Sequence, residues 1–152
     1  EWWHKEVDRH WEARRTEALA LLARDAELSR IVNLVGPEAL SDAQRWQLEG
    51  ASLIKEGVLQ QSALDEVDTF CSPQKQFALL DLALSTYDKG MTLIEIGVPV
   101  SHLQDLPQLA KARRCKSMYT SEQVASINDL AREIDEAFES IRLEYAKQHT
   151  DD

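Results

Sequence analysis

Apolar residues recur three and four positions apart along most of this chain, the spacing of one face of an α-helix. The pattern covers four segments, at about 8–35, 42–60, 73–96 and 121–148. It is clearest in the last two, where the predicted buried faces are Phe77, Leu80, Leu84, Tyr87, Met91 and Ile94 in one and Val124, Ile127, Leu130, Ile134, Phe138, Ile141 and Tyr145 in the other. The first segment carries Trp11, Ala18, Leu21, Leu22, Leu28, Ile31, Val32 and Val35 on its apolar side.

Each predicted helix is bounded by residues that favour helix ends. Gly36-Pro37 should end the first helix, because glycine accepts a left-handed backbone and proline cannot continue a helix. The other boundary signals are a capping box at Ser41 and Gln44, an N-cap and first-turn proline at Ser72-Pro73, a stop at Gly97 and Pro99, and a second capping box at Thr120 and Gln123.

Two short helices are predicted between the third and fourth main helices, at 101–106 and from Pro107 to about Cys115. No segment has the pattern of a strand, since Val98-Pro99-Val100 is short and contains a proline. The predicted fold class is therefore all-α: an antiparallel helical bundle of four main helices plus one or two short helices.

Ala43, Gly50 and Gly57 lie seven positions apart on the second predicted helix and therefore form one stripe. A glycine within a helix costs roughly 0.5–1 kcal/mol relative to alanine. We therefore expect another helix to approach this stripe closely.

The 152 residues are expected to form one domain with its own core. A net charge of −10 argues against binding to nucleic acid or to an anionic membrane surface. Charges interrupt every apolar run before the roughly 18 to 20 residues that span a bilayer. Because the chain starts at Glu1 with no initiator Met and no signal-peptide pattern, we expect it to be a piece of a longer protein.

No set of residues has the spacing of a catalytic or metal site, so neither kind is predicted. The four histidines are expected on the surface: His4, His10, His102 and His149. The acidic residues Asp65, Glu66 and Asp68 suit a solvated loop better than a calcium loop, which would need a central glycine and a later glutamate.

The two cysteines, Cys71 and Cys115, are expected to be free thiols. A bridge between them and a reactive Cys71 thiol beside a helix N-terminus are the less favoured alternatives. Arg113-Arg114 forms a small basic patch, most simply a charged helix face.

The order of residues from Val35 to Asp68 is more distinctive than its composition. Gly36-Pro37-Glu38-Ala39-Leu40-Ser41-Asp42, a helix, and then Leu59-Gln60-Gln61-Ser62-Ala63-Leu64-Asp65-Glu66-Val67-Asp68-Thr69 closely resemble the C-terminal domain of the catalytic A subunit of the A-type/V-type rotary ATPases. The likeness begins at Trp2-Trp3, is specific through about Lys75, includes a later turn at Gly97-Val98-Pro99, and is looser after Leu106.

The resemblance implies that residues 1–152 are the C-terminal helical domain of the catalytic subunit of a proton- or sodium-translocating rotary ATPase. The nucleotide-binding domain, with its phosphate loop and catalytic residues, would lie upstream. ATP and Mg would bind the parent subunit, whereas this piece alone should be inactive and hold no cofactor. The implied partners are the non-catalytic B subunit and the central-stalk subunits, in the cytoplasmic sector peripheral to the membrane.

Two groups of site residues also follow from the resemblance. The segment Glu38, Ala39, Leu40, Ser41 and Asp42 would contact the rotor, and it distantly resembles the acidic Asp-Glu-Leu-Ser-Glu-Glu-Asp segment of the F-type β subunit. Ser62, Ala63 and Leu64 would contact the adenine, where the family usually has Asn-Ala-Phe. Because aromatic stacking on a base contributes roughly 1–3 kcal/mol, Leu64 should make a weaker, apolar contact. The alternative is that Ala63 and Leu64 only close the end of the bundle.

A second function remains open at this point. The chain could be a free-standing acidic helical adaptor that binds partner helices through its apolar faces. The coding sequence upstream of Glu1 distinguishes the two, because the ATPase requires a phosphate-loop domain there.

Overall fold

The computed structural model describes residues 10–59, 72–119 and 123–150, with the backbone alone at 116–118. The helices in these ranges are α1 (Trp11–Val35), α2 (Asp42–Ile54), α3 (Pro73–Glu95), α4 (Val100–Gln104), α5 (Pro107–Met118) and α6 (Val124–Gln148). A 3-10 turn, Pro37–Ala39, joins α1 to α2, and a π-helical turn, Lys55–Leu59, continues α2. These ranges contain no strand. The all-α prediction, with four main and two short helices, is confirmed.

The central helix of the bundle is α3, which packs against α1, α2 and α6. It runs antiparallel to α2, because Trp46 near the start of α2 lies against Gly90 and Gly50 further along lies against Tyr87. The indole of Trp46 donates to the Tyr87 carbonyl at 2.9 Å and packs edge-on against Phe138 of α6. This one side chain therefore joins three helices at the core.

Burial on α3 is wider than the single stripe expected from the sequence. Leu80 and Leu84 of that stripe are buried, whereas Phe77, Tyr87, Met91 and Ile94 are only partly so. Residues on the other faces are buried as well: Lys75, Leu79, Leu82, Ala83, Thr86, Gly90 and Leu93. The prediction was wrong in extent because a helix with neighbours on several sides buries more than one face.

The apolar face predicted for α1 is buried only in its first two thirds. Ala18, Leu21 and Leu28 are buried, but Ile31 and Val35 expose 38% and 66% of their surface. The prediction was wrong for these two residues. The last turn of α1 reaches the end of the bundle, where no helix among the described residues covers this side.

The glycine stripe of α2 does mark close helix contacts. A Cβ added to Gly50 would lie 2.5 Å from Cδ2 of Tyr87, and one added to Gly57 would lie 2.8 Å from the Ala112 carbonyl oxygen. Both distances are too short for a real side chain. The expectation of close approach is confirmed at both glycines.

The helix boundaries follow most of the predicted signals. The capping box of Ser41 and Gln44 is present, and the Ser72 hydroxyl accepts from the Lys75 amide. However, α5 continues past Cys115 to Met118. At the start of α6 the N-cap is Gln123, without a side-chain cap bond, and the predicted cap Thr120 lies outside the described residues.

Candidate functional site at the turn between α1 and α2

The chain reverses direction between α1 and α2 within a few residues, and we call residues 36–42 the tip. Gly36 ends α1 with φ +90°, a backbone conformation that side-chain-bearing residues rarely adopt. Its amide donates to the Val32 carbonyl at 2.9 Å. The Pro37–Ala39 turn follows, closed by the Leu40 amide donating to the Pro37 carbonyl at 3.1 Å. The tip is thus a hydrogen-bonded turn throughout its length.

Leu40 and Ser41 anchor the tip to the rest of the bundle. Leu40 exposes only 5% of its surface. The Ser41 hydroxyl accepts from the Gln44 amide at 3.2 Å, and the Gln44 side chain accepts from the Ser41 amide at 2.9 Å. Two amides that begin α2 are therefore satisfied locally.

Asp42 connects the tip to a distant part of the chain. Its Oδ2 accepts a hydrogen bond from the Val100 amide, the first residue of α4, at 3.1 Å. Arg45 also reaches back to the tip, where its guanidinium approaches the Pro37 carbonyl at 3.4 Å. The Asp42 carboxylate and the Arg45 guanidinium thus each make a bond that involves the tip, from the first turn of α2.

The outer surface of the tip combines polar and apolar groups. Glu38, Ala39 and Ser41 are exposed. Beside them lies an apolar patch on the last turns of α1, formed by Ile31, Leu34 and Val35, of which Leu34 is 84% exposed. Adjoining exposed apolar side chains of this kind mark interaction surfaces more often than scattered ones do.

The second predicted site, Ser62, Ala63 and Leu64, lies outside the described residues. The described residues on either side, Leu59 and Ser72, lie at the end of the bundle opposite to the tip, because α2 starts at the tip and runs antiparallel to α3. The 13 residues of α2 and the 5 of its π-helical turn separate the two ends by roughly 25 Å at the usual helical rise.

The described residues among the remaining candidates include three histidines and the basic patch Arg113-Arg114. Among the described residues, no three His, Cys, Asp or Glu side chains converge on a possible metal position. His10, His102 and His149 are exposed as expected. The basic patch is less exposed than predicted, because Arg113 forms ion pairs with Glu49 and Glu56 of the neighbouring helix and its π-helical continuation. The other candidates, His4, Asp65, Glu66, Asp68 and Cys71, lie outside the described ranges.

Cys115 is a fully buried free thiol. Burial raises the pKa of this thiol to about 12, which keeps it protonated and unreactive at neutral pH. A groove of about 390 Å³ between α1, α2 and α3 is lined by Glu17, Leu21, Arg24, Gln47, Tyr87 and Asp88.

Comparison with known proteins identifies the family. A family model described as the C-terminal domain of V and A type ATP synthase matches residues 1–103. The chain belongs to this family.

Relatives of this family match nearly the whole chain. It is 60% identical to the V-type ATP synthase alpha chain of Nitrosococcus oceani over 96% of its length. It is 41% and 40% identical to the A subunit of the A-type ATP synthases of Thermococcus onnurineus and of Pyrococcus horikoshii, over 95% in each case. The chain spans only 25%, 24% and 15% of these three relatives.

As a V/A-type C-terminal domain, the chain presents surface residues that its sequence pattern does not reveal. Ile31 and Val35 share the helical spacing of the core residues, and the pattern gives no signal for Leu34. Spacing alone cannot show where a bundle ends. In the part of the chain that the structure describes, no helix is both long and apolar enough to cross a membrane.

Proposed function

We propose that this chain is the C-terminal helical domain, residues 1–152, of the catalytic A subunit of a V/A-type rotary ATPase. The parent subunit would bind ATP and Mg and couple hydrolysis or synthesis to proton or sodium transport. The family match supports this function over a free-standing adaptor. In this proposal the chain supplies no catalytic residue and transmits movement.

The observation that carries the proposal is the tip, a firmly held turn at the far end of the bundle. Closure of an upstream nucleotide-binding domain would swing the helical domain as a unit, a hinge-type movement. A swinging domain transmits force only if its end does not yield. The Leu40 anchor, the Ser41 capping box and the Asp42 hydrogen bond supply that stiffness.

The proposed contact with the central stalk combines the tip and the apolar patch. Glu38, Ser41 and Asp42 offer exposed polar side chains, Ala39 adds an exposed methyl group, and Ile31, Leu34 and Val35 offer apolar area. Leu40 would act through its backbone and through the shape of the turn, since its side chain is buried. Such a surface suits a partner helix with both apolar and polar residues.

The proposed adenine contact belongs to the opposite end of the bundle. Ser62, Ala63 and Leu64 would reach the nucleotide there, with Leu64 making an apolar contact in place of aromatic stacking. This arrangement is supported by the positions of Leu59 and Ser72, which flank that segment at the end away from the tip. One end would then respond to the nucleotide while the other moves the stalk.

The non-catalytic B subunit would be the neighbour in the ring, and the whole assembly would lie on the cytoplasmic side, peripheral to the membrane.

The test uses the intact rotary complex with the double substitution Leu34→Ser and Val35→Ser. Both side chains are exposed, so folding and assembly should persist. We expect ATP hydrolysis to continue while the number of ions pumped per ATP falls. The matched control is Leu19→Ser, an exposed leucine on α1 about four helical turns before Leu34, which should leave the pumping ratio unchanged. An unaltered ratio in the double variant would contradict the proposed stalk contact.

A further inference from the structure

The side chain of Asp42 forms a hydrogen bond to a distant part of the chain, which the other residues of the tip do not. Its carboxylate and the amide of Val100 are 58 positions apart in sequence and 3.1 Å apart in space. The bond runs from the first turn of α2 to the first residue of α4. It therefore links two connections of the chain that lie at the same end of the bundle.

The amide of Val100 requires an acceptor from elsewhere in the fold. The five-residue helix α4 begins after Pro99, whose side chain provides no cap. Val100 exposes only 3% of its surface, so water is a poor substitute. Buried amides are nearly always paired, and a carboxylate is a stronger acceptor than a neutral group. Asp42 thus performs the capping that the local sequence lacks.

The turn that Asp42 holds is itself fixed to the central helix. At the end of α3, the Gly97 amide donates to the Ile94 carbonyl at 3.0 Å and the Val98 amide donates to the Leu93 carbonyl at 3.1 Å. This pair of bonds is the Schellman motif, and Gly97 provides the positive φ of +108° that it needs. Val98 is also buried, at 1% exposure. The Asp42 bond therefore connects the tip to α3.

We propose that Asp42 is a positioning residue, which holds the tip on the turn between α3 and α4 rather than serving mainly as a contact for the stalk. The inference rests on the proposed function of the tip. With this bond, a load on the tip reaches α3 through the Asp42 carboxylate as well as along α1 and α2. Glu38, whose exposed side chain lies on the same turn, is the better candidate for an acidic contact with a partner.

The test compares three variants in the intact complex: Asp42→Ala, Asp42→Asn and Glu38→Ala. The first readout is hydrogen exchange, measured by mass spectrometry, in peptides that contain Val100. Asp42→Ala should speed exchange at this amide about tenfold or more, the effect of losing one charge-assisted hydrogen bond. Asp42→Asn keeps an acceptor oxygen and should give an intermediate rate, whereas Glu38→Ala should leave the rate unchanged.

The second readout is the number of ions pumped per ATP. Asp42→Ala should lower the number of ions pumped per ATP. Asp42→Asn should lower it much less, because the asparagine keeps the oxygen that accepts the Val100 hydrogen bond, and the proposal depends on this oxygen more than on the charge. The inference is overturned if Val100 exchange is unchanged in Asp42→Ala. It is also overturned if Asp42→Asn protects Val100 yet pumps as poorly as Asp42→Ala, since the carboxylate charge would then act on a partner directly.

The two proposals fail in different ways. If the Leu34→Ser, Val35→Ser complex pumps normally, the proposed stalk contact fails whatever happens at Val100. If that complex is uncoupled while Asp42→Ala pumps normally with fast Val100 exchange, the stalk contact stands and the positioning role of Asp42 is wrong.

Discussion

At the scale of single residues, two leucines that lie six positions apart differ in how far they are buried. Leu34 exposes 84% of its surface and Leu40 exposes 5%. The same side chain is therefore free to meet a partner at one position and contributes to the core at the other. Substitutions at the two positions should consequently affect different properties.

Leu40→Ala should destabilise the folded chain by about 2–5 kcal/mol, because it removes buried methyl groups and leaves a cavity. The measurement is the free energy of unfolding in denaturant. Leu34→Ala is the control and should change that free energy by no more than about 0.5 kcal/mol. Equal effects of the two substitutions would show that Leu40 is not packed in the core.

Gly90 is a residue where the absence of a side chain is required. A Cβ at this position would lie 2.1 Å from Cζ2 of Trp46, within the indole ring system. Gly90→Ala should therefore lower the free energy of unfolding by about 1–3 kcal/mol, although alanine favours helices more than glycine does. Thermal unfolding followed by circular dichroism measures the change. A higher melting temperature in Gly90→Ala would contradict the close packing of α2 on α3.

At the scale of elements, α2 shows both what a local pattern predicts and where tertiary packing changes it. The capping box at its start is present as expected from Ser41 and Gln44. Its other end was expected to remain helical to about Gln60, but the α-helix ends at Ile54 and a π-helical turn follows to Leu59. That turn places Gly57 against the backbone of Ala112 in α5. π-helical turns are rare and have no simple sequence signal.

Ser41→Ala should cost about 0.5–2 kcal/mol of stability, the usual effect of removing an N-cap side chain. The measurement is again denaturant unfolding. The control is Ser140→Ala on the exposed side of α6, well inside that helix, where alanine should be neutral or slightly stabilising. A smaller loss for Ser41→Ala than for Ser140→Ala would contradict the capping role.

At the scale of the whole molecule, basic side chains pair with carboxylates across the seams between helices. Arg14 of α1 forms ion pairs with Asp81 and Asp88 of α3, at 2.9 and 3.4 Å. Lys55 pairs with Asp25 of α1, and Lys89 pairs with Asp135 of α6. Each such pair contributes little when exposed to water, about 0–1 kcal/mol. Their arrangement nevertheless limits the repulsion expected in a chain of net charge −10.

The stability of the whole chain should fall at alkaline pH because of Cys115. Burial raises the pKa of this thiol from its ordinary 9.0 to about 12. Above pH 9 the unfolded chain loses this proton while the folded chain keeps it, so unfolding becomes easier as pH rises toward 12. The slope contributed by one proton is about 1.4 kcal/mol per pH unit.

Unfolding free energies measured between about pH 8 and pH 11 test this expectation. In Cys115→Ala the contribution of the thiol is absent. The free energy of unfolding should therefore fall less steeply with pH than in the unsubstituted protein, by about 1.4 kcal/mol per pH unit, whatever the variant's stability at the lower pH. Burial also raises the pKa of Tyr87 and of Tyr119, so part of the decline should persist in the variant. Parallel pH profiles for the two proteins would contradict the burial of the thiol.

The helices, most of their ends and the family resemblance could be predicted from the sequence alone. Helical spacing, capping residues and helix-stopping glycines are local signals, because they act over one or two turns of the chain. Gly36, Ser41, Ser72 and Gly97 mark ends that the structure confirms. The seven-residue stripe of Gly50 and Gly57 likewise predicted close contacts, although not which helix makes them.

Only the tertiary structure decided which apolar residues face solvent and which distant groups meet. Ile31 and Val35 have core-like spacing but lie beyond the helices that would cover them. Asp42 looks like an ordinary first-turn acid, yet its partner is Val100, 58 positions away. Burial and such long-range bonds depend on how helices are arranged in space. The spacing of residues along a single helix carries no information on that arrangement, which is why the outer surface of the tip and its bond to α4 emerged only in the folded chain.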